Sequence, residues 1–206
     1  MEAQLQRLQW ASATFWLLII LAGNGCKNKQ DLAATISDST YLRRGDSITV
    51  ITFDTLRKSL LRAIDLYGVE GAIPFCHENA STLTTSYADT FFIRRTSMQY
   101  RNPANAPDAL EKLVLTKMAS VVQRGANPRP EIIRDNSTAS VHYFKHIMMQ
   151  PLCLNCHGKP GSEINEPTLE KVRKLYPQDL AVNFKTGELR GVWHVTFSMK
   201  PAQKTD

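Results

Sequence analysis

No stretch of this sequence approaches the roughly 20 consecutive apolar residues needed to cross a bilayer, so a multi-span membrane protein is excluded. A basic block is missing too. The chain of 206 residues carries 25 Lys and Arg against 19 Asp and Glu, a net +6. Lys27, Lys29, Arg43, Arg44, Arg94, Arg95 and Arg101 are scattered among acids, which argues against a nucleic-acid interface. Charged residues reach only 21% beside 43% apolar ones, an ordinary globular balance that excludes wholesale disorder. The length suits one domain with a sizeable core, and no internal repeat is visible. Cysteine is sparse, with four in the chain, and most of the chemical information lies with it.

Residues 1–25 read as an export signal. Arg7 precedes a 14-residue tract, Trp10 to Gly23, which suits the apolar region of a signal peptide and is short for a spanning helix. Ala22-Gly23-Asn24-Gly25-Cys26 then resembles a lipobox, with Gly23 where an aliphatic residue is usual, and Cys26 is the expected lipidation site. Simple cleavage to a soluble protein and an uncleaved anchor are the other two readings. All three place the remainder outside the cytoplasm, with a membrane-anchored lipoprotein of the periplasm or cell envelope as the main expectation. Residues 26–50 are polar and read as a tether, residues 51–200 as the folded body, and 201–206 as a tail.

Cys153 and Cys156 lie in Leu152-Cys153-Leu154-Asn155-Cys156-His157-Gly158, a C-x-x-C-H string that reads as covalent attachment of one haem c. Thiols at this spacing reach the two vinyl groups of a porphyrin edge, and the adjacent His157 becomes the proximal iron ligand. A zinc half-site would want a further Cys or His pair close by, and none follows His157 closely. A thioredoxin-like disulfide would open a helix after a strand, whereas Pro160 and Gly161 suggest a loop. Cys76 remains over. It is either a small buried hydrophobe or the sixth ligand to the iron.

In the body, Leu56, Leu60, Leu61, Ile64 and Tyr67 predict an amphipathic helix over 52–67, ended by Gly68 and Gly71. A second helix is expected from about Ala72 to Ala80, carrying Cys76 and His77. Phe91-Phe92-Ile93 predicts a strand. Asp108 and Glu111 form a capping box for a helix with Leu110, Leu113, Val114, Met118, Val121 and Val122 on its apolar face, stopped at Gly125. Ala139, Val141 and Tyr143 alternate as in a strand, and Thr168 to Tyr176 predicts a short helix. From Leu189 to Met199, Trp193, Val195, Phe197 and Met199 share one side of a strand and His194, Thr196 and Ser198 the other. The class is α+β with an antiparallel sheet.

Residues 71–80 (GAIPFCHENA), 94–111 (RRTSMQYRNPANAPDALE) and 150–158 (QPLCLNCHG), then Tyr176-Pro177-Gln178-Asp179 and Gly187 to Trp193, occur in that order. Together they resemble the bacterial periplasmic haem-c-binding PAS-like domain, a family formerly classed as a domain of unknown function. It is found alone and as the sensory portion of histidine kinases and chemoreceptors. The resemblance covers roughly residues 50–200. It implies a PAS-like five-stranded antiparallel sheet flanked by helices, and a thiolate from Cys76 opposite His157. His77, Met148, Met149 and Met199 are the other distal candidates. Arg94, Arg95, Arg101 and Asn102 match the family motif, and either hold haem propionates or brace the loop before the capped helix.

The expected function is redox or gas sensing, or electron transfer, through a His/Cys-ligated iron. The alternative is a simple electron-carrier cytochrome with His/Met or His/His ligation. Catalysis is not expected, because a sixth protein ligand would close the iron. With no transmitter helix after residue 200, a signal is expected to pass to a redox or signalling protein by contact or electron transfer. A diatomic gas is an expected small ligand.

Overall fold

The computed structural model describes residues 36–85 and 91–199. The expected leader, its Cys26 and the tail lie outside these residues.

Helix α1 (Asp38–Thr85) is broken at Gly68, whose φ of 72° and ψ of 176° only glycine adopts without strain. The sequence places a helix end at this glycine, and the chain makes two helical segments there. Residues 38–50, expected within the tether, are instead the first turns of α1, and the compact unit begins at Ser37. Their inward face is Tyr41, Gly45, Thr49 and Thr52, all buried and recurring every three or four residues. A side chain at position 45 would overlap the Tyr143 ring, so Gly45 lets that ring lie against the helix backbone. Thr49 hides its hydroxyl by donating to the carbonyls of Gly45 and Asp46.

Strands β1 (Phe91–Thr96), β2 (Glu131–Asp135), β3 (Ser140–Met148) and β4 (Leu189–Ser198) form an antiparallel sheet in the order β1-β4-β3-β2. Side chains alternate between its faces. Val141, Tyr143, Trp193, Val195 and Phe197 pack with Tyr41 on one face. Phe144 and Val192 pack on the other with Val114, Leu115 and Met118 of α2 (Ala109–Gln123). The resemblance implied five strands, and four are paired among the described residues. After Thr96 the chain turns out of the sheet. Ser97 donates its N–H to the Asn105 carbonyl and its hydroxyl to the Arg190 carbonyl, and a 3-10 turn follows at Pro103–Asn105.

The capping box of α2 is formed as expected: Asp108 accepts from the Glu111 N–H at 2.7 Å, and Glu111 accepts from the Asp108 N–H at 2.9 Å. Its apolar face is shifted, however. Leu113 is 70% exposed, and the seam runs through Glu111, Val114, Leu115 and Met118. Strand β2 was not evident in the sequence, where two adjacent isoleucines give no alternation. Helix α3 (Leu154–His157) is a single turn, and α4 (Glu166–Leu175) is capped by Asn165, whose side chain accepts from the Thr168 N–H. Pairing of β3 with β4 becomes irregular between Ile147 and Met148, which releases the chain toward the cysteine motif.

Candidate functional site

The C-x-x-C-H string is helical rather than an open loop. A 3-10 turn, Pro151–Cys153, runs directly into α3, which Gly158 ends with its N–H on the Leu154 carbonyl. One helical turn of 3.6 residues places Cys153, Cys156 and His157 on neighbouring faces. Both cysteines are free thiols, as is Cys76. Among the described residues no group of three or more His, Cys, Asp or Glu could hold a bare metal ion, which leaves the zinc reading without a ligand set. The motif follows an antiparallel strand, so the βαβ setting of a thioredoxin-type disulfide is absent as well.

The segment after α4 builds a wall against this turn. Asn183 and Phe184 donate N–H groups to the carbonyls of Gly158 and His157 at 2.8 and 3.0 Å. His157 in turn places Nδ1 2.8 Å from the Ala181 carbonyl. A carbonyl only accepts, so Nδ1 carries the proton and Nε2 keeps its lone pair. Burial, then the charges of Arg190 and Arg101, hold the imidazole well below its ordinary pKa range, against the bond to Ala181. The ring is therefore neutral and aims one basic nitrogen away from the wall. That is the state a metal-ligating histidine needs.

Arg101 ties the wall to the turn. It pairs with Asp179 through Nε at 3.2 Å and Nη2 at 3.1 Å, and donates to the carbonyls of Cys156 at 2.6 Å and Ala181 at 3.2 Å. Both side chains are nearly buried. Asp179 also accepts from the Ala181 N–H at 2.8 Å. The Tyr176–Asp179 motif and the arginine motif thus meet in a single brace.

The second segment of α1 brings Cys76 to the same place. Its thiol is raised by burial and lowered by the nearby Arg95 and Arg101. Burial pushes Cys156 up to about 11; Arg101 opposes this, and Cys76 and Cys153 add to it. Cys76 therefore shares its electrostatic surroundings with the C-x-x-C-H turn. His77 is exposed, with its ring edge-on to Tyr176 at 4.9 Å, and Tyr176 in turn lies beneath Arg101 at 6.0 Å. Met199 packs against the core beneath α1, with Arg134 Nη1 3.8 Å from its sulfur. Met148 lines a cavity of about 270 Å³ with Thr49, Phe53, Gln150 and Trp193. Met149 is buried with Ala181 and Phe184, and Cys153 and Leu154 pack against this cluster.

The arginines divide by strand alternation. Arg94 faces α2, where it donates to the carbonyls of Ala104 and Ala106 and lies 3.5 Å from Glu111. Asn102 caps the 3-10 turn by accepting from the Ala104 N–H. Arg94 and Asn102 thus brace the loop before α2, the second of the two readings given for them. Arg101 is a brace as well. Arg95 points to the opposite face, over the Trp193 ring at 5.6 Å, and its pKa is lowered by burial. Arg190 lies 5.3 Å over Phe184 and donates to the Gln99 carbonyl. Burial, then Arg101 and Arg95, bring it down to about 10.

Neither Arg95 nor Arg190 forms an ion pair among the described residues. Both are half-buried, and a half-buried guanidinium without a carboxylate partner is suited to meeting an anion. Arg190 was missed in the sequence because it sits in a strand whose alternation drew attention to its apolar members. Gly191 beside it was a clue, since a side chain there would run into the Thr96 carbonyl.

Free thiols at attachment spacing, a neutral imidazole fixed in one tautomer, a third thiol nearby and two unpaired arginines make a donor set suited to a covalently held dianionic metalloporphyrin. Comparison with known proteins gives two matches. A family model described as Tll0287-like matches residues 28–198. The crystal structure of the cyanobacterial heme-protein Tll0287 matches with a TM-score of 0.54 at 22% identity, over 74% of this chain and 93% of that chain. This likeness establishes an α+β, PAS-like fold. No curated protein matches.

Proposed function

Because this chain belongs to the Tll0287-like family, we propose that it binds haem, and that it does so as an extracytoplasmic protein with one haem c joined to Cys153 and Cys156. In this reading His157 and Cys76 would hold the iron. The observation that carries it is the His157–Ala181 bond, which leaves a single neutral nitrogen beside two free thiols. The description of the structural neighbour as a heme-protein supports the cofactor.

Haem supplies one-electron exchange and an iron that takes diatomic ligands. The chain supplies the rest. Ala181 and Phe184 orient His157, Arg101 holds the motif turn against the wall, and Arg95 and Arg190 would pair with the propionates. Cys76 offers a strongly donating ligand that lowers the reduction potential, and it rides on the α1 segment beyond Gly68. These features support a binding role, in redox or gas sensing or electron transfer with a protein partner, rather than catalysis. The leader and Cys26 support a lipid-anchored place in the cell envelope.

A pyridine haemochrome assay on chain matured in the periplasm tests attachment. Cys76→Ala is expected to keep the haem and change its spin state. A chain without a Soret band refutes the haem reading, and an unaltered spectrum in Cys76→Ala refutes the distal ligand alone.

A further inference from the structure

A second set of buried polar groups lies on the other face of the sheet, between β3, β4 and α2. Glu111 Oε1 is 2.8 Å from His194 Nδ1, and His194 Nε2 is 2.9 Å from His142 Nδ1. His142 Nε2 is 3.0 Å from Ser140 Oγ, which is 2.7 Å from Thr138 Oγ1. Thr138 then donates to Asp135 Oδ2 at 2.8 Å. The chain of groups runs from a fully buried carboxylate to a surface one, since Glu111 is 0% exposed while Thr138 is open to solvent.

Counting hydrogens decides what this arrangement is. With both carboxylates ionised and both imidazoles neutral, Thr138, Ser140, His142 and His194 each bring one mobile proton. Four protons must fill the five links from Glu111 to Asp135, while Thr196 brings one proton for its own link to His194 Nε2 and leaves the balance unchanged. His194 donates to Glu111, His142 to His194 and Ser140 to His142. Thr138 then has one proton for two neighbours, Ser140 and Asp135. One link, of 2.7 or 2.8 Å, is left with two oxygens facing each other without a hydrogen between them. A fifth proton repairs this. His142 or His194 becomes the cation, Ser140 turns to donate to Thr138, Thr138 donates to Asp135, and every link carries one hydrogen.

We propose that Glu111, His194, His142, Ser140, Thr138 and Asp135 form a binding site for one solvent proton, shared between the two imidazoles and loaded from the Thr138–Asp135 end. Entry needs only successive N–H and O–H transfers along the links, with no other bond made or broken.

The surroundings agree. Asp135 is held down to about 2 by Ser137 and Thr138, so it does not take the proton itself. Burial raises Glu111, but its bonds from His194 and Asp108 and the charge of Arg94 outweigh this and leave it below the ordinary value. The proton therefore belongs on the imidazoles. Burial and then His194 lower the basicity of His142, while Asp135, Asp108 and Glu111 raise it, with a net shift downward. The His142 ring is thus less basic than an ordinary imidazole. Thr196, 3.2 Å from His194 Nε2, sits beside the shared bond. Phe144 stacks on His194 with ring centroids 4.3 Å apart and keeps water from that face.

Nitrogen-15 NMR of the imidazoles in the full chain, from pH 8 to 4, tests this. The signals of His142 and His194 are expected to move together through one transition that takes up one proton in total. Ser140→Ala removes the acceptor of the loaded form and is expected to lower the midpoint by roughly one pH unit, a tenfold loss in proton affinity. Thr138→Val, at the exposed turn, is expected to act in the same direction and serves if the buried variant does not fold. Separate transitions for the two rings, uptake of two protons or none, or a midpoint indifferent to Thr138→Val would each overturn the proposal.

Discussion

Replacing Arg101 with leucine should cost the domain a large share of its stability, because the arginine is one half of a nearly buried pair. Two charge-assisted bonds to Asp179 are lost, and the carboxylate is left in a site too dry to solvate it. Breaking such a pair from one side costs about 3–5 kcal/mol. The Cys156 carbonyl loses its 2.6 Å donor as well, whereas the Ala181 carbonyl keeps His157. A loss of about 4 kcal/mol compares with total stabilities of roughly 5–15 kcal/mol for domains. With a urea slope of about 2 kcal/mol/M, the midpoint should fall by about 2 M. Removing both partners, in Arg101→Leu with Asp179→Leu, leaves no orphan charge and should recover about half of the loss. Urea unfolding followed by circular dichroism on all three variants is the assay. A single variant that loses under about 0.5 kcal/mol, or a double variant no better than the single, refutes the brace.

Gly45→Ala should lose about 2 kcal/mol, roughly 6 °C in Tm, because the added methyl meets the Tyr143 ring; a differential scan reads it directly. Arg190→Met should lower the midpoint potential of haem-loaded protein by about 60 mV, since the loss of a cation beside the proposed haem disfavours the reduced form; spectroelectrochemistry measures this. For acid stability, the folded-state pKa of Asp135 lies at about 2, below its ordinary 3.8. Its contribution is therefore present above about pH 4 and lost as the pH falls through 2. Asp135→Asn should lower Tm at pH 5 and match the parent chain near pH 2.

Much of the fold was legible where local chemistry and burial agree. The Asp108–Glu111 box, the stop at Gly68, the alternation of β4 and the helix before Pro177 all use signals confined to a few neighbouring residues. Residues 38–50 were illegible for the opposite reason. Their buried face relies on Gly45, Thr49 and Thr52, which look like linker residues until the Tyr143 ring and the backbone carbonyls that receive them are known. Among site residues, the cysteine motif announces itself by spacing. Arg190 and the Glu111–His194–His142 series do not, because their partners come from distant strands and helices. Sorting Arg94 from Arg95 needed the strand itself, since alternation sends neighbours to opposite faces.

The carbonyl of Ala181 has one more implication, for how the domain matures. An unsupported imidazole offers two competing basic positions, and half of its orientations present the wrong one. Here a main-chain oxygen already occupies the inner position, so an incoming Lewis acid finds only one site of attack. The peptide backbone does this work rather than a side chain, while the Ala181 methyl is fully buried against Met149 and Phe184. A haem iron bound in the proposed way would therefore meet Nε2 alone.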